Sequence, residues 1–304
     1  MFKKAKISVI VMTYFHQEYI CKALDTILEQ ECSYEYEILV SDDCSKDSTI
    51  PIIKSYREKY PDKIKLIFHE KNVGICTNLY NALLECTGEY IVISAGDDYW
   101  VGKEKLQKQC DFLENNKDFL VECVCVEGRY EDGRAVGVIS PDSQFRNREF
   151  PRELFNDGVC FPTAGMMMRN IFKQEKACKQ FELMKAYSRD LDDLTFCFFL
   201  FDYGKIHIAD YVGYAITVRS ENAKNQHNFN TKYKKVNNTV EHLKVLQNIW
   251  KYYHGKYDIS AWYKLHWGNL LYYIIKERQI WAVKYLYLIP GRYILRCLKY
   301  VLRK

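Results

Sequence analysis

The chain is poor in the residues and patterns that mark several common protein classes. Its 304 residues hold only 14 Gly and 6 Pro, and no low-complexity segment or internal repeat is visible. Disorder is therefore not expected. Apolar runs never approach the ~18 residues of a spanning helix, so none is expected. The opening MFKKAKISVIVMTYFHQ starts basic, but its apolar run is too short for a secretory core and no small-residue cleavage site follows. It reads as a buried strand. The 12 Cys contain no CxxC pair and lie scattered through apolar segments, at Cys21, Cys76, Cys86, Cys110 and Cys197 among others. They read as reduced core thiols of a cytoplasmic protein. Cys123 and Cys125 share one strand face, which is too little for a zinc site. Two phosphate cradles are missing as well. TYFHQE stands where a dinucleotide fold places GxGxxG, and GxxxxGK[ST] occurs nowhere. Any bound phosphate must then be met by a metal ion and side chains.

What is present is an ordinary globular composition, 48% hydrophobic and 27% charged. The net charge of +5 is unevenly spread. Residues 232–304 carry 15 Lys and Arg against 3 Asp and Glu, and the remainder has a balance of −7. A basic, aromatic C-terminal region on an acidic body points to an anionic partner surface. Nucleic acid is not expected, because no known binding module is present.

Strand and helix signals alternate through the first 126 residues. Strands are predicted over Lys6–Thr13, Glu37–Ser41, Lys63–His69, Tyr90–Ser94 and Phe119–Val126, and helices over Gln17–Gln30, Asp47–Tyr60, Gly74–Cys86 and Lys103–Asn116. Strands separated by single helices imply βαβ units and a parallel sheet. Residues 127–165 read as irregular, with a possible hairpin at Asp132-Gly133. Helices follow over Lys173–Tyr187 and Asp192–Tyr203, then strand over Lys205–Val218, then basic aromatic helix from Asn237.

In open sheets of this kind ligands lie beyond the carboxyl ends of the strands. Thr13-Tyr14 follows the first strand, Ser41-Asp42-Asp43 ends the second, and Gly96-Asp97-Asp98-Tyr99-Trp100 follows the fourth. Clustered carboxylates repel unless a cation or donor groups satisfy them. Magnesium or manganese fits, since each takes oxygen ligands and commonly one or two carboxylates plus phosphates. The competing reading is structural: Asp and Ser cap helices and shape turns.

Taken in order, ISVIVMTYFHQEYICKALDTILEQ, YEILVSDDCSKDST and NVGICTNLYNALLECTGEYIVISAGDDYW resemble the family-2 glycosyltransferases, closely over about residues 5–117 and loosely over 155–220. The resemblance implies an α/β, GT-A type, Rossmann-like and mostly parallel sheet flanked by helices, with a helical C-terminal extension. It implies a catalytic domain over 1–230, with a nucleotide-sugar half to about 126 and an acceptor half after it, followed by a basic helical region over 231–304. Thr13 and Tyr14 fall near the nucleoside, Asp42 on the carboxylate that reads the base, usually uracil, and Asp43 in the same motif. Asn72, Gly74 and Asn78 match the segment bordering the donor. Asp97 falls where the family meets the ribose. Asp98 falls where it holds the magnesium or manganese that bridges the diphosphate. The family often has an acidic residue two before this pair; Ala95 stands there, so metal binding rests more heavily on Asp98.

In the second half, SRDLDDLTFCFFLFDYGKIHIAD is similar to the family stretch that carries the general base. Counting back from Gly204 lands on Asp193, with Asp190 and Asp192 as competitors and helix capping as the plain alternative. Arg219 falls near a family arginine, but without its usual histidine. The resemblance thus implies inverting transfer from a nucleotide-sugar, a UDP-sugar first, to a saccharide or lipid-linked saccharide, in bacterial surface polysaccharide synthesis. A nucleotidyltransferase or a non-catalytic binding scaffold are the rivals. In the terminal GRYILRCLKYVLRK, Arg292, Arg296, Lys299 and Arg303 fall on one helical stripe opposite Ile294, Leu298 and Val301. Residues 291–304 are therefore expected to lie on an anionic membrane surface, peripheral to the inner face, or to pack on the domain.

Overall fold

The computed structural model describes residues 3–189, 193–218, 232–254 and 256–288. Its contacts divide the chain into two compact units, Met1–Pro151 with Phe161–Glu221, and Arg152–Cys160 with Asn222–Lys304. The boundary expected at residue 230 falls in 219–231, outside the described residues, as do Asp190, Asp192, Arg219 and the 291–304 segment.

The first unit opens with alternating elements: β1 (Lys3–Thr13), α1 (Ile20–Leu28), β2 (Tyr34–Asp42), α2 (Thr49–Lys59), β3 (Ile64–Phe68), α3 (Ile75–Glu85) and β4 (Tyr90–Ala95). After these come β5 (Tyr99–Trp100), α4 (Lys105–Asn115), β6 (Phe119–Tyr130), β7 (Ala135–Ser140) and β8 (Arg148–Glu149). Next in the chain is α5 (Arg152–Asn156), which belongs to the second unit. The first unit resumes with β9 (Met167–Arg169), α6 (Glu175–Met184), α7 (Asp193–Leu200) and β10 (Lys205–Val218).

One sheet runs in the order β3-β2-β1-β4-β9-β6-β10-β5, with β7 on β6 and β8 on β10. The β3-β2-β1-β4 block is parallel, and β6 is parallel to β10. The antiparallel β9 joins these two blocks by pairing with both β4 and β6. Its three residues carry no readable period, and Met167 and Met168 are fully buried.

Helices on both faces explain the near-continuous apolar strands. Ile7, Val9 and Val11 face α1, α2 and α4, in one cluster with Leu24, Ile53, Leu106 and Leu113. The intervening Ser8 and Ile10 are equally buried. Ser8 donates from its hydroxyl to Glu37 at 2.7 Å. Glu37 also accepts from the Thr87 hydroxyl at 2.6 Å and pairs with Lys65 and Lys6 at 2.9 and 3.2 Å. Burial pushes this carboxyl up, but the bonds from Thr87, Lys65, Ser8 and Lys6 outweigh it and hold it at about 2, below the ordinary 4.5. A folded-state value below the unfolded one contributes stability above pH 4.5 that is lost as pH falls from about 4.5 to about 2. Acid unfolding followed by circular dichroism should steepen in that window. Glu37→Gln should flatten the dependence while lowering the neutral-pH midpoint by several degrees, on the order of 1–2 kcal/mol.

The second unit holds α5, then α8 (Lys232–Tyr252), α9 (Ser260–Ile275) and a 3-10 helix over Ile280–Leu288. Val236, Val240, Leu243, Trp267, Leu270 and Leu271 form its core. The indole of Trp262 donates to the Phe155 carbonyl at 2.7 Å, and that of Trp267 to Leu288 at 3.1 Å. No described helix is long and apolar enough to cross a membrane.

Candidate active site

Register brings the strand ends together before any side chain is considered. Thr13 lies opposite Asp42, and Met12 opposite both Ser41 and Ala95. The groups following β1, β2 and β4 therefore emerge at one edge.

Asp42 is closed to solvent. Its carboxylate accepts from the Thr13 hydroxyl at 2.7 Å, the Ser45 hydroxyl at 2.6 Å and the Ser45 amide at 2.8 Å. Asp43, also buried, accepts the amides of Val73 and Gly74 at 2.6 and 2.9 Å, and the Asn72 side chain reaches its carbonyl at 3.4 Å. Asn78 is buried between the Ser41 hydroxyl at 2.5 Å and His69 at 3.0 Å. Of the structural reading of this motif the turn is seen, Asp42 accepting the Ser45 amide, while Ser48, the N-cap of α2, makes no side-chain cap bond. Ser45, Asp47 and Thr49 accept the amides of Phe15, Gln17 and His16, pinning the turn that carries Tyr14. These bonds fix the turns that follow β1 and β2. Tyr14 stays partly exposed, edge-on to Phe15 with ring centroids 4.6 Å apart.

Gly74 has φ +88°, and a Cβ there would stand 2.3 Å from Cγ of Arg189. Arg189 donates to the Asn72 carbonyl at 3.3 Å and to its side-chain oxygen, and its own carbonyl accepts the Cys76 amide at 3.2 Å. Of the amides opening α3, those of Gly74 and Cys76 are thus met by protein groups. Nothing in the sequence around SRD signals this contact, which joins residues 117 positions apart.

Asp97 and Asp98 are partly exposed. Asp97 lies 3.6 Å from Nε2 of His16. Gly96 is required here, because a Cβ would sit 2.6 Å from the Thr13 methyl and 3.0 Å from Nδ1 of His16. The Asp98 carboxylate accepts from the Tyr214 hydroxyl at 3.2 Å and the Thr217 amide at 3.0 Å, and the Thr217 hydroxyl donates to the Asp97 carbonyl at 2.6 Å. Tyr214 is buried and accepts the Ala95 amide at 3.0 Å; burial, reinforced by the Asp98 charge, pushes its phenol well above 10. Strand β10 therefore aims the Asp98 carboxylate.

Two adjacent carboxylates suit magnesium or manganese completed by phosphate oxygens. Among the described residues no three His, Cys, Asp or Glu gather to hold a metal by themselves. Asp193 begins α7, whose other residues are buried, while its own side chain is exposed and accepts the Thr163 hydroxyl at 2.6 Å. The Gly165 amide, two residues on, bonds to the Ile93 carbonyl at 3.2 Å, so this contact ties Asp193 to a segment beside the end of β4.

A mostly parallel sheet with carboxylates at its carboxyl edge and a helix-opening carboxylate from the second half defines a GT-A type fold. The chain belongs to glycosyl transferase family 2, whose model matches residues 8–175. It is similar to the uncharacterized protein Rv1520 of Mycobacterium tuberculosis, 33% identical over 50% of this chain and 42% of that one. It is also similar to TarS of Staphylococcus aureus, a poly(ribitol-phosphate) beta-N-acetylglucosaminyltransferase, 32% identical over 51% of this chain and 26% of TarS. The chain thus spans less than half the length of these relatives. The structure of TarS 1-349 in complex with UDP-GlcNAc shares the fold, with a TM-score of 0.61 and 21% identity over 94% of this chain and 82% of that one.

Proposed function

We propose that the chain is an inverting glycosyltransferase that moves a sugar from a nucleoside diphosphate donor, a UDP-sugar first, to a hydroxyl of a saccharide or lipid-linked saccharide. Bacterial surface polysaccharide synthesis is the setting. The observation that carries this reading is the convergence at one sheet edge. Asp97 and Asp98, the latter aimed by Tyr214 and Thr217, stand beyond β4, and an exposed Asp193 opens a buried helix tied to the neighbouring segment. The complex of TarS with UDP-GlcNAc supports the choice of UDP, and the poly(ribitol-phosphate) in the name of TarS supports a polymer acceptor.

Tyr14 and the Asn72–Gly74 loop border the donor, with Thr13, Asp42, Asp43 and Asn78 holding those elements in place. Asp97 takes the ribose. Asp98 would hold magnesium or manganese, which when bound neutralises charge on the departing diphosphate. Asp193 accepts the proton of the acceptor hydroxyl as that oxygen attacks from the face opposite the leaving group, so the anomeric centre inverts in one displacement. The protein works on the cytoplasmic side, and residues 291–304 bring it to an anionic membrane surface.

A donor screen by thermal shift tests the donor site. With magnesium or manganese, one uridine diphosphate sugar should raise the unfolding midpoint by several degrees, since ligand at ~100 times Kd adds about 2.7 kcal/mol. Stabilisation by another nucleotide instead would overturn the uridine assignment. Stabilisation without turnover on any acceptor would favour a binding scaffold.

A further inference from the structure

In the second unit, α9 and the following 3-10 helix leave a large apolar surface outside the core. At ~100° per residue, Lys264, Leu265, Tyr272 and Ile275 of α9 and its C-cap Lys276 fall within an arc of about 120°, and all are exposed. Trp262, His266, Trp267, Leu270 and Leu271 occupy the buried side. The 3-10 helix, at three residues per turn, repeats the arrangement. Ile280 and Val283 share one exposed row, Lys284 and Tyr287 the next, and Ala282 and Leu288 the buried one. Ile280 and Tyr287 are 73% and 71% exposed, values that a core packing role would not leave. The only acidic residue over 260–288 is Glu277, against Lys264, Lys276, Arg278 and Lys284.

We infer that these exposed sides of α9 and the 3-10 helix dock on the surface of an anionic lipid bilayer, lying in its interface. The inference rests on the membrane location proposed above and adds to residues 291–304 a second, described contact. Two features select lipid over a protein partner. Apolar side chains alternate with cations along both helices, so burying the face would also bring at least three positive charges to the surface, as anionic head groups favour. Tyr272 and Tyr287 are among the exposed apolar positions, with Trp281 partly exposed in the row of Lys284 and Tyr287, and such amphipathic rings suit the depth where head groups meet acyl chains. Lying flat is the only mode available to α9, which is not long and apolar enough to cross.

Flotation of the full chain with vesicles of phosphatidylcholine and phosphatidylglycerol, against phosphatidylcholine alone, tests this. The chain should float only with the anionic vesicles, and added salt should weaken the binding. Ile280→Asp combined with Tyr287→Asp, both at exposed positions, should lower the bound fraction on the order of tenfold. Lys276→Glu combined with Lys284→Glu should act in the same direction. The donor-dependent thermal shift should be unchanged in both variants, so loss of the lipid face is distinguishable from loss of the donor site. Failure of the full chain to float would overturn the inference. So would full binding by both double variants with loss on deleting residues 291–304, or a shift of oligomeric state in the variants with vesicle binding intact.

Discussion

Asp98→Asn should lose metal-dependent transfer by a factor on the order of 10³, the scale seen when a group stabilising transition-state charge is removed. Its unfolding midpoint should stay near that of the unaltered chain. The amide keeps an oxygen able to accept the Thr217 amide or the Tyr214 hydroxyl, so the turn after β4 should survive, while the negative charge toward a divalent cation is gone. With Ala95 two residues before the pair, Asp97 is the one carboxylate left in that turn. Transfer measured across a manganese titration is the decisive readout. A shift of the metal requirement to higher concentration, with the maximal rate restored, would place Asp98 in metal affinity alone. Full activity at ordinary metal would remove the metal assignment. Tyr214→Phe should change activity in the same direction and less, because Thr217 still orients the carboxylate.

Asp193→Asn should bind donor as before and lose transfer by about 10²–10⁴, the usual contribution of a positioned general base. Its side-chain oxygen can still accept the Thr163 hydroxyl, so its place at the start of α7 should persist. The stability cost should be small, about 0.3–1 kcal/mol for the lost charge at the helix N-terminus. Donor-induced thermal shift and transfer to a soluble acceptor, measured together, separate the two roles. If Asp190→Asn or Asp192→Asn abolishes transfer while Asp193→Asn does not, the base lies elsewhere in the acidic run. If none does, the run is only a helix start.

Much of the architecture was legible because the signals are local. Strand β10 over Lys205–Val218 and the helix–strand alternation through β6 follow from side-chain period and from breaks such as the Gly88 that follows Cys86. Helix ends were less legible: α1 begins at Ile20 rather than Gln17, because Gln17 turns outward to accept the Ser48 amide. Strands β5, β8 and β9, of two or three residues, left no period to read.

The candidate site divides in the same way. By itself the sequence determined that hydroxyls and carboxylates follow β1, β2 and β4, because a parallel βαβ chain delivers every such turn to the same edge. Which of these groups face solvent was decided by tertiary structure alone. Asp42 and Asp43 are drawn inward by Thr13, Ser45, Val73 and Gly74, whereas Asp97 and Asp98 remain accessible. Only the fold brings Tyr214 to Asp98 across 116 residues and Arg189 to Asn72 across 117. The physical reason is range. Periodicity and chain direction act between near neighbours, while the partner that completes a buried carboxylate is set by which distant strands the sheet places side by side.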